Sequence, residues 1–545
     1  MQCELKLVSS LDKIFFDKFD ALDTCESGSM LANEVYSFQL AVWGTGEPYP
    51  VQKCRLEIDS PLEEYIRAYQ VGYVPSTVPA LEPWDDDYIT KTPGVLFPDP
   101  LFPVKDGKVD LFVGQARSLW FAVEPNGEKA GTFPITLRIF DEKGNLAGET
   151  CFTLGIIDAA LPELDIYNTS WFHGDCLAVL HGTEVQSETW WHIVEQYVRN
   201  YAAFGHNTIL TPIFTPPLDT AVGGERPTNQ LIEVTKDGND YTFSFVPLKR
   251  WLQLCRDCGI KHYEISHLYT QWGAAHAPKV MATVDGEYRR LFGWETDALS
   301  AEYTAFLHAL LPALIDFLKQ AGVWENCLFH VSDEPNAEHE TQYRRAKETL
   351  LKHLDTDKLI DALSDYRFFE TGIVTRPVVS TDHLHTFLDH GVKGVWAYYC
   401  TGQGKDVANR FMAMPSYRNR VLGQQLYKYD IAGFLQWGYN FWFEAFSKGV
   451  VDPYRETSAG GRFQSGDAFV VYPMQHGEVI NSLRLYVFRE AMQDLRALKL
   501  LESLSDRETV MALLDGIDGF GNYPRNNAYF LKLRQTVNQR IQKQV

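Results

Sequence analysis

The sequence predicts a multidomain α/β + β protein: an N-terminal β-sandwich, then a (β/α)8 barrel of the TIM type, then a helical C-terminal segment. Three observations predict it. Residues 1 to 160 are short runs rich in β-branched and aromatic side chains, strand and helix alternate from 165 onward, and the last stretch is strongly helical. The corresponding division is 1–162 for the sandwich, 163–504 for the barrel and 505–545 for a C-terminal extension. A chain of 545 residues exceeds one ordinary small domain and suits a large barrel with accessory modules.

In the first region Val35–Val42, Ser118–Val123 and Phe133–Phe140 read as strands. Asp141–Leu146 (DEKGNL) then turns the chain into a return strand at Glu149–Ile157. Val74–Pro103 carries seven prolines and the acidic triplet Asp85-Asp86-Asp87, which predicts an extended loop wrapped over a neighbour. Eight strands are then expected near 167–171, 208–214, 262–267, 327–332, 359–363, 377–380, 395–399 and 433–437. Helices at 188–204, 248–258 and 301–321 lie between the early ones. Alternation of this kind implies a parallel sheet, and about eight units over roughly 300 residues fit a closed barrel better than an open sheet. Residues 482–504 read as the last barrel helix and 528–542 as a surface cap.

Composition excludes several functions. The formal net charge of −21, with no basic run interleaved with aromatics, argues against nucleic acid and anionic membranes. Nine scattered cysteines include one close pair, Cys255 and Cys258, with no second pair to complete a zinc site. Asp382-His383-Leu384-His385 lacks a supporting metal-ligand motif, and Gly402-Gln403-Gly404-Lys405 lacks the spacing of a phosphate loop. No GxSxG elbow is present. Neither a metal nor an organic cofactor is expected. The start, MQCELKLVSSLDKIFF, does not have the pattern of a secretory signal, and no apolar run approaches the ~20 residues that cross a bilayer. A cytoplasmic setting follows as the expectation, with oligomeric state left open.

The most informative stretch is Cys327-Leu-Phe-His-Val-Ser-Asp333-Glu334-Pro335. An apolar strand ends in two adjacent carboxylates, and Pro335 stops it from continuing. In a barrel this places the pair at the carboxyl end of the fourth strand, where such enzymes keep their chemistry. Two neighbouring acids in a dry site cannot cheaply both be charged, so one holds a proton. Glycosidic bond cleavage needs that division of labour. A solvated Asp-Glu turn is the plain alternative. Other strand ends supply groups suited to a sugar: Trp171 and His173; His267, Gln271 and Trp272; Trp396 and Tyr398; Trp437, Tyr439, Asn440 and Trp442. Four strands ending this way predict a cleft lined for a carbohydrate.

The second carboxylate decides the mechanism. No Glu or Asp occurs in Val395–Gly404 at the seventh strand, and Glu444 lies beyond the eighth. Substrate assistance, in which a 2-acetamido group attacks its own anomeric carbon, needs only an acid and a neighbour that steadies the amide.

The Asp333-Glu334 pair, with Gln271-Trp272-Gly273, Tyr398–Gly402, Gly433–Trp442 and Gly466–Pro473, resembles glycoside hydrolase family 123, the exo-acting β-N-acetylgalactosaminidases, and a broader set of related bacterial proteins. The similarity covers most of the chain, with one departure: Leu485-Tyr486 stands where Trp-Glu is expected after Asn481–Arg484. The resemblance implies that Glu334 is the general acid/base and that Asp333 stabilises an oxazolinium ion. The expected activity is a retaining exo-β-N-acetylhexosaminidase acting on a small carbohydrate or glycan. The competing expectations are a sugar-binding scaffold without turnover, and a glycosidase with a distant nucleophile such as Glu444.

Overall fold

The computed structural model describes residues 2–46, 51–81, 87–92, 94–335 and 337–545. The N-terminal region forms two five-stranded sheets. One runs in the order Gln2–Ser9, Tyr36–Thr45, Ala116–Val123, Ile66–Ser76, Val95–Pro103; the other in the order Ser27–Leu31, Leu146–Ile157, Gly131–Phe140, Gln52–Asp59, Lys108–Leu111. Alternating residues of both sheets meet in a core in which Phe38 stacks on Phe152 at 4.1 Å and on Phe121 at 5.1 Å. The expected strands and the hairpin at Asp141 are present; the Asp141 carboxylate accepts the Lys143 and Asn145 N–H groups.

Val74–Pro103 corrects the expectation of a loop throughout. Its last nine residues, Val95–Pro103, pair antiparallel with Ile66–Ser76. They form the edge strand of their sheet, where a missing proline N–H breaks no second ladder, so the prolines that read as loop are tolerated. Of the acidic triplet, Asp85 and Asp86 lie outside the described residues. Asp87 does lie against a neighbour: its carboxylate accepts from Tyr417, Arg418 and Arg525.

All eight expected strands appear in a parallel sheet: Tyr167–Ser170, Thr208–Thr211, His262–Ile265, Cys327–His330, Leu359–Leu363, Pro377–Ser380, Trp396–Tyr398 and Gly433–Gln436. The barrel is nearly closed. Its first and second strands are joined through Asn207, whose N–H donates to Asn168 O and whose Oδ1 accepts the Asn168 N–H. Trp171, Leu210, Leu328, Ile360, Val378, Trp396 and Leu435 fill the interior as packed layers. Gly433 is required there, because a Cβ at this position would stand 2.3 Å from the Trp396 ring.

Two hairpins that the alternation did not predict, 233–244 and 280–292, form a four-stranded sheet after the second and third strands. The helix Ala301–Gln320 is long and apolar enough by composition to cross a membrane. Here its apolar side is core, with Phe306 against Phe214 and Phe292. The helix Leu483–Leu504 packs on the barrel and the sandwich together, and Asn527–Gln542 reaches back to the second sandwich sheet through Asn538 and Ser29.

Candidate active site

The fourth strand stops at His330, three residues before the carboxylate pair. Beyond it the backbone is held from both sides. Asp361, on the fifth strand, accepts the Val331 and Ser332 N–H groups through Oδ1 at 3.0 and 3.2 Å. The Ser332 hydroxyl donates to Thr270 O, the Trp272 N–H donates to Asp333 O, and the Glu334 N–H donates to Ala362 O. This clamp holds Glu334 at φ +43°, a left-handed conformation that costs free energy in a residue with a Cβ. Trp272 (φ +59°) and Phe446 (φ +63°) are held in the same region. All three line one pocket of ≈ 390 Å³ at the carboxyl end of the barrel strands.

Asp333 and Glu334 stand in that pocket side by side. Burial, and then the Glu334 charge, push the Asp333 carboxyl well above the usual carboxylate range, against the opposing pull of His330. Glu334 faces outward and accepts a hydrogen bond from the Tyr398 hydroxyl on Oε1 at 2.8 Å. A third carboxylate, Asp219, lines the same pocket; burial lifts it to about 6, although it accepts the Phe446 N–H. Behind the wall, burial raises Asp467 to about 7, and this residue accepts the Trp437 indole N–H at 3.0 Å. The pocket therefore gathers three carboxylates, with Arg462 also on its lining.

Of the residues singled out in the sequence, Trp171, Gln271, Trp272, Tyr398 and Trp437 line the pocket with Asp333 and Glu334. Trp171 forms the floor, its indole N–H donating to Glu264. Gln271 spends its amide on the loop after the second strand, accepting the Asp219 N–H and donating to Thr220 O. The other six do not line it. His173 is buried between Trp437 O and Arg226, and burial and then the Arg226 charge lower it to about 3. His267 is buried and stacks on His330 at 4.4 Å. Trp396 is the first residue of its strand, so it sits deep in the barrel and stacks on Tyr167. Tyr439 turns outward to Asn200, Asn440 exchanges two hydrogen bonds with the His173 backbone, and Trp442 donates to Val471 O. Glu444 does not line the pocket; its carboxyl lies against Gly449 and Gly460.

Sequence reasoning missed Asp219, Phe446, Arg462 and Phe463, which also line the site. They come from long loops after the second and eighth strands, and the only local signal was the Pro216-Pro217-Leu218-Asp219 turn. Trp272 and Phe446, 38 % and 40 % exposed, meet edge to face at 6.1 Å on the rim.

A nearly closed parallel barrel with adjacent carboxylates in a pocket beyond its fourth strand defines the class, a barrel glycoside hydrolase. The sequence profile "Glycoside hydrolase 123, catalytic domain" matches residues 171–501, and the chain belongs to that family. The structure of a family 123 glycoside hydrolase from Clostridium perfringens, reported for glycolipid glycan hydrolysis, aligns over 99 % of this chain and 98 % of that one. The TM-score is 0.75 at 14 % identity, so the likeness is one of fold. A β-glucuronidase from Parabacteroides merdae aligns over 90 % of this chain and 52 % of that one, at 10 % identity and a TM-score of only 0.31. A search of curated proteins finds no match.

Proposed function

We propose that this glycosidase is an exo-acting, retaining β-N-acetylhexosaminidase, with terminal β-linked N-acetylgalactosamine as the preferred sugar, working by substrate assistance. The observation that carries the reading is the pairing of Asp333 with Glu334 in a small pocket from which Glu444 is absent. In this reading Glu334 protonates the leaving glycosidic oxygen as the acetamido carbonyl oxygen bonds to C1 and the C1–O bond breaks. Asp333 accepts the amide N–H and steadies the oxazolinium ion. Water then gives its proton to Glu334 and attacks C1, which regenerates the acetamide with retention. Trp171, Trp272, Tyr398 and Trp437 enclose the sugar.

The raised Asp333 explains why an acetamido sugar is needed to arm the site. In the empty pocket burial and the Glu334 charge oppose ionisation of Asp333. A bound amide N–H favours ionised Asp333, the form that steadies the oxazolinium ion.

The test is release of 4-nitrophenol from a panel of aryl β-glycosides that compares 2-acetamido with 2-hydroxy sugars. Turnover confined to the acetamido sugars is expected. Turnover of 2-hydroxy sugars would overturn substrate assistance and point to Asp219 as a separate nucleophile.

A further inference from the structure

We propose that His330 is a positioning residue of this reaction: an imidazolium held between Glu264 and Asp361 at the end of the fourth strand, three residues before Asp333, it supplies the positive charge that lets Asp333 ionise against the substrate's amide. The inference rests on the reading of Asp333 given above and extends it to a residue that never touches the sugar.

His330 is the last residue of the fourth strand, and its ring is wholly buried. Its Nε2 stands 2.8 Å from Glu264 Oε2 on the third strand, and its Nδ1 stands 3.7 Å from Asp361 Oδ1 on the fifth. Nε2 is within hydrogen-bond distance of Glu264, while Nδ1 lies beyond hydrogen-bond reach of Asp361 but within ion-pair distance of it, so the ring is flanked by a carboxylate on each side. The groups around it leave it no competitor. Glu264 also accepts the Trp171 indole N–H, from the first strand. Asp361 accepts the Val331 and Ser332 N–H groups and the Tyr343 hydroxyl. His267 stacks on the ring at 4.4 Å; burial, and then the His330 charge, hold it well below its ordinary range, so it is neutral. Lys347, which also faces Asp361, gives its ammonium to Ile373 O. Burial alone would discharge His330, but Asp361 and Glu264 outweigh it and lift it to about 9.

Of the neighbouring charges that act on Asp333, His330 favours its ionised form, while Glu334 and Asp361 oppose it. Asp361 also joins the two functions, since the oxygen that faces His330 holds the backbone that aims Asp333. Through its charge and through Asp361, the ring therefore acts on both the ionisation and the position of Asp333.

The experiment is the pH profile of kcat for wild type and His330→Gln on 4-nitrophenyl 2-acetamido-2-deoxy-β-D-galactopyranoside. The glutamine amide can still donate to Glu264 but carries no charge. The acidic limb should move up by about 1–3 pH units, the range over which a nearby opposite charge shifts a carboxylate. On that limb kcat should fall about tenfold per unit while KM stays within about threefold. An unmoved limb, or a loss confined to KM, would overturn the proposal. Nitrogen-15 spectra of histidine-labelled wild type at pH 7 make the test independent of whether the variant folds: both His330 nitrogens should be protonated, and a neutral ring would overturn it. Wild type that spares acetamido glycosides would overturn the functional reading and this role with it. Turnover with an uncharged His330 would overturn this inference alone.

Discussion

The barrel mouth and the seam between sandwich and barrel both bury carboxylates, and they treat them in opposite ways. At the seam each acid meets guanidinium. Arg484 binds both oxygens of Asp99 at 2.7 and 2.9 Å, Arg420 bridges Glu490 and Asp494, and Arg534 bridges Glu34 and Asp494. Although burial opposes it, Arg420 holds Asp494 below the usual carboxylate range. At the mouth, burial and a second carboxylate raise Asp333, and no guanidinium is bonded to it among the described residues. One region binds its charges to guanidinium groups and ties two sheets to a barrel; the other gives Asp333 no bonded cation and leaves it able to exchange a proton.

The largest effects should separate the two regions cleanly. Glu334→Gln should lower kcat about 10³–10⁴-fold on substrates with poor leaving groups, measured by initial rates, at the upper end for loss of a general acid. Asp333→Asn should lose activity comparably yet melt at a higher temperature, since it removes a strained charge; a lower Tm would break the contrast. Asp99→Asn should do the reverse. It leaves Arg484 buried without its partner and should cost about 3–5 kcal/mol in denaturant unfolding, with kcat/KM of the folded enzyme preserved.

Acidity sharpens the same contrast through hydrogen exchange in the two regions. Asp494 is depressed, so its stabilisation is present above its unfolded pKa and is lost as pH falls through the lower folded value. Asp333 is raised, so acidification from neutral pH relieves the mouth before it harms the seam. His330 is raised to about 9, so its contribution is complete below its unfolded value and is lost as pH climbs through about 9. Protection near residues 330–334 should therefore fall on the alkaline side, while that near 484–494 falls on the acid side. Smaller again, Tyr398→Phe should cost about tenfold in kcat by removing the hydrogen bond to Glu334. Phe446→Ala should raise KM a few-fold, by the worth of about one aromatic contact.

The same contrast marks what could be read from sequence. The eight strands and the acid pair were legible because each strand is a short apolar run with its own period, and because Pro335 fixes where the fourth must stop. The edge strand Val95–Pro103 was not, because its prolines look like loop until its place at the sheet edge is known. Trp396 and Tyr398 differ by two residues, share a strand face and sit at different depths; periodicity alone gives the face and not the depth. Asp219 and Phe446 belong to loops whose positive φ values come from tertiary clamps with no local code. The partners of His330, on two other strands, became visible only when the barrel placed them around it.

The most direct test of the account is azide rescue of Asp333→Asn and Glu334→Ala on an activated aryl 2-acetamido β-glycoside. The account predicts that azide restores turnover in Glu334→Ala with a β-glycosyl azide as product, because the oxazolinium ion still forms and azide needs no general base. It predicts no rescue in Asp333→Asn, whose nucleophile was the substrate's own amide. Rescue of Asp333→Asn with an α-glycosyl azide would show that Asp333 itself had been the nucleophile and would contradict the account.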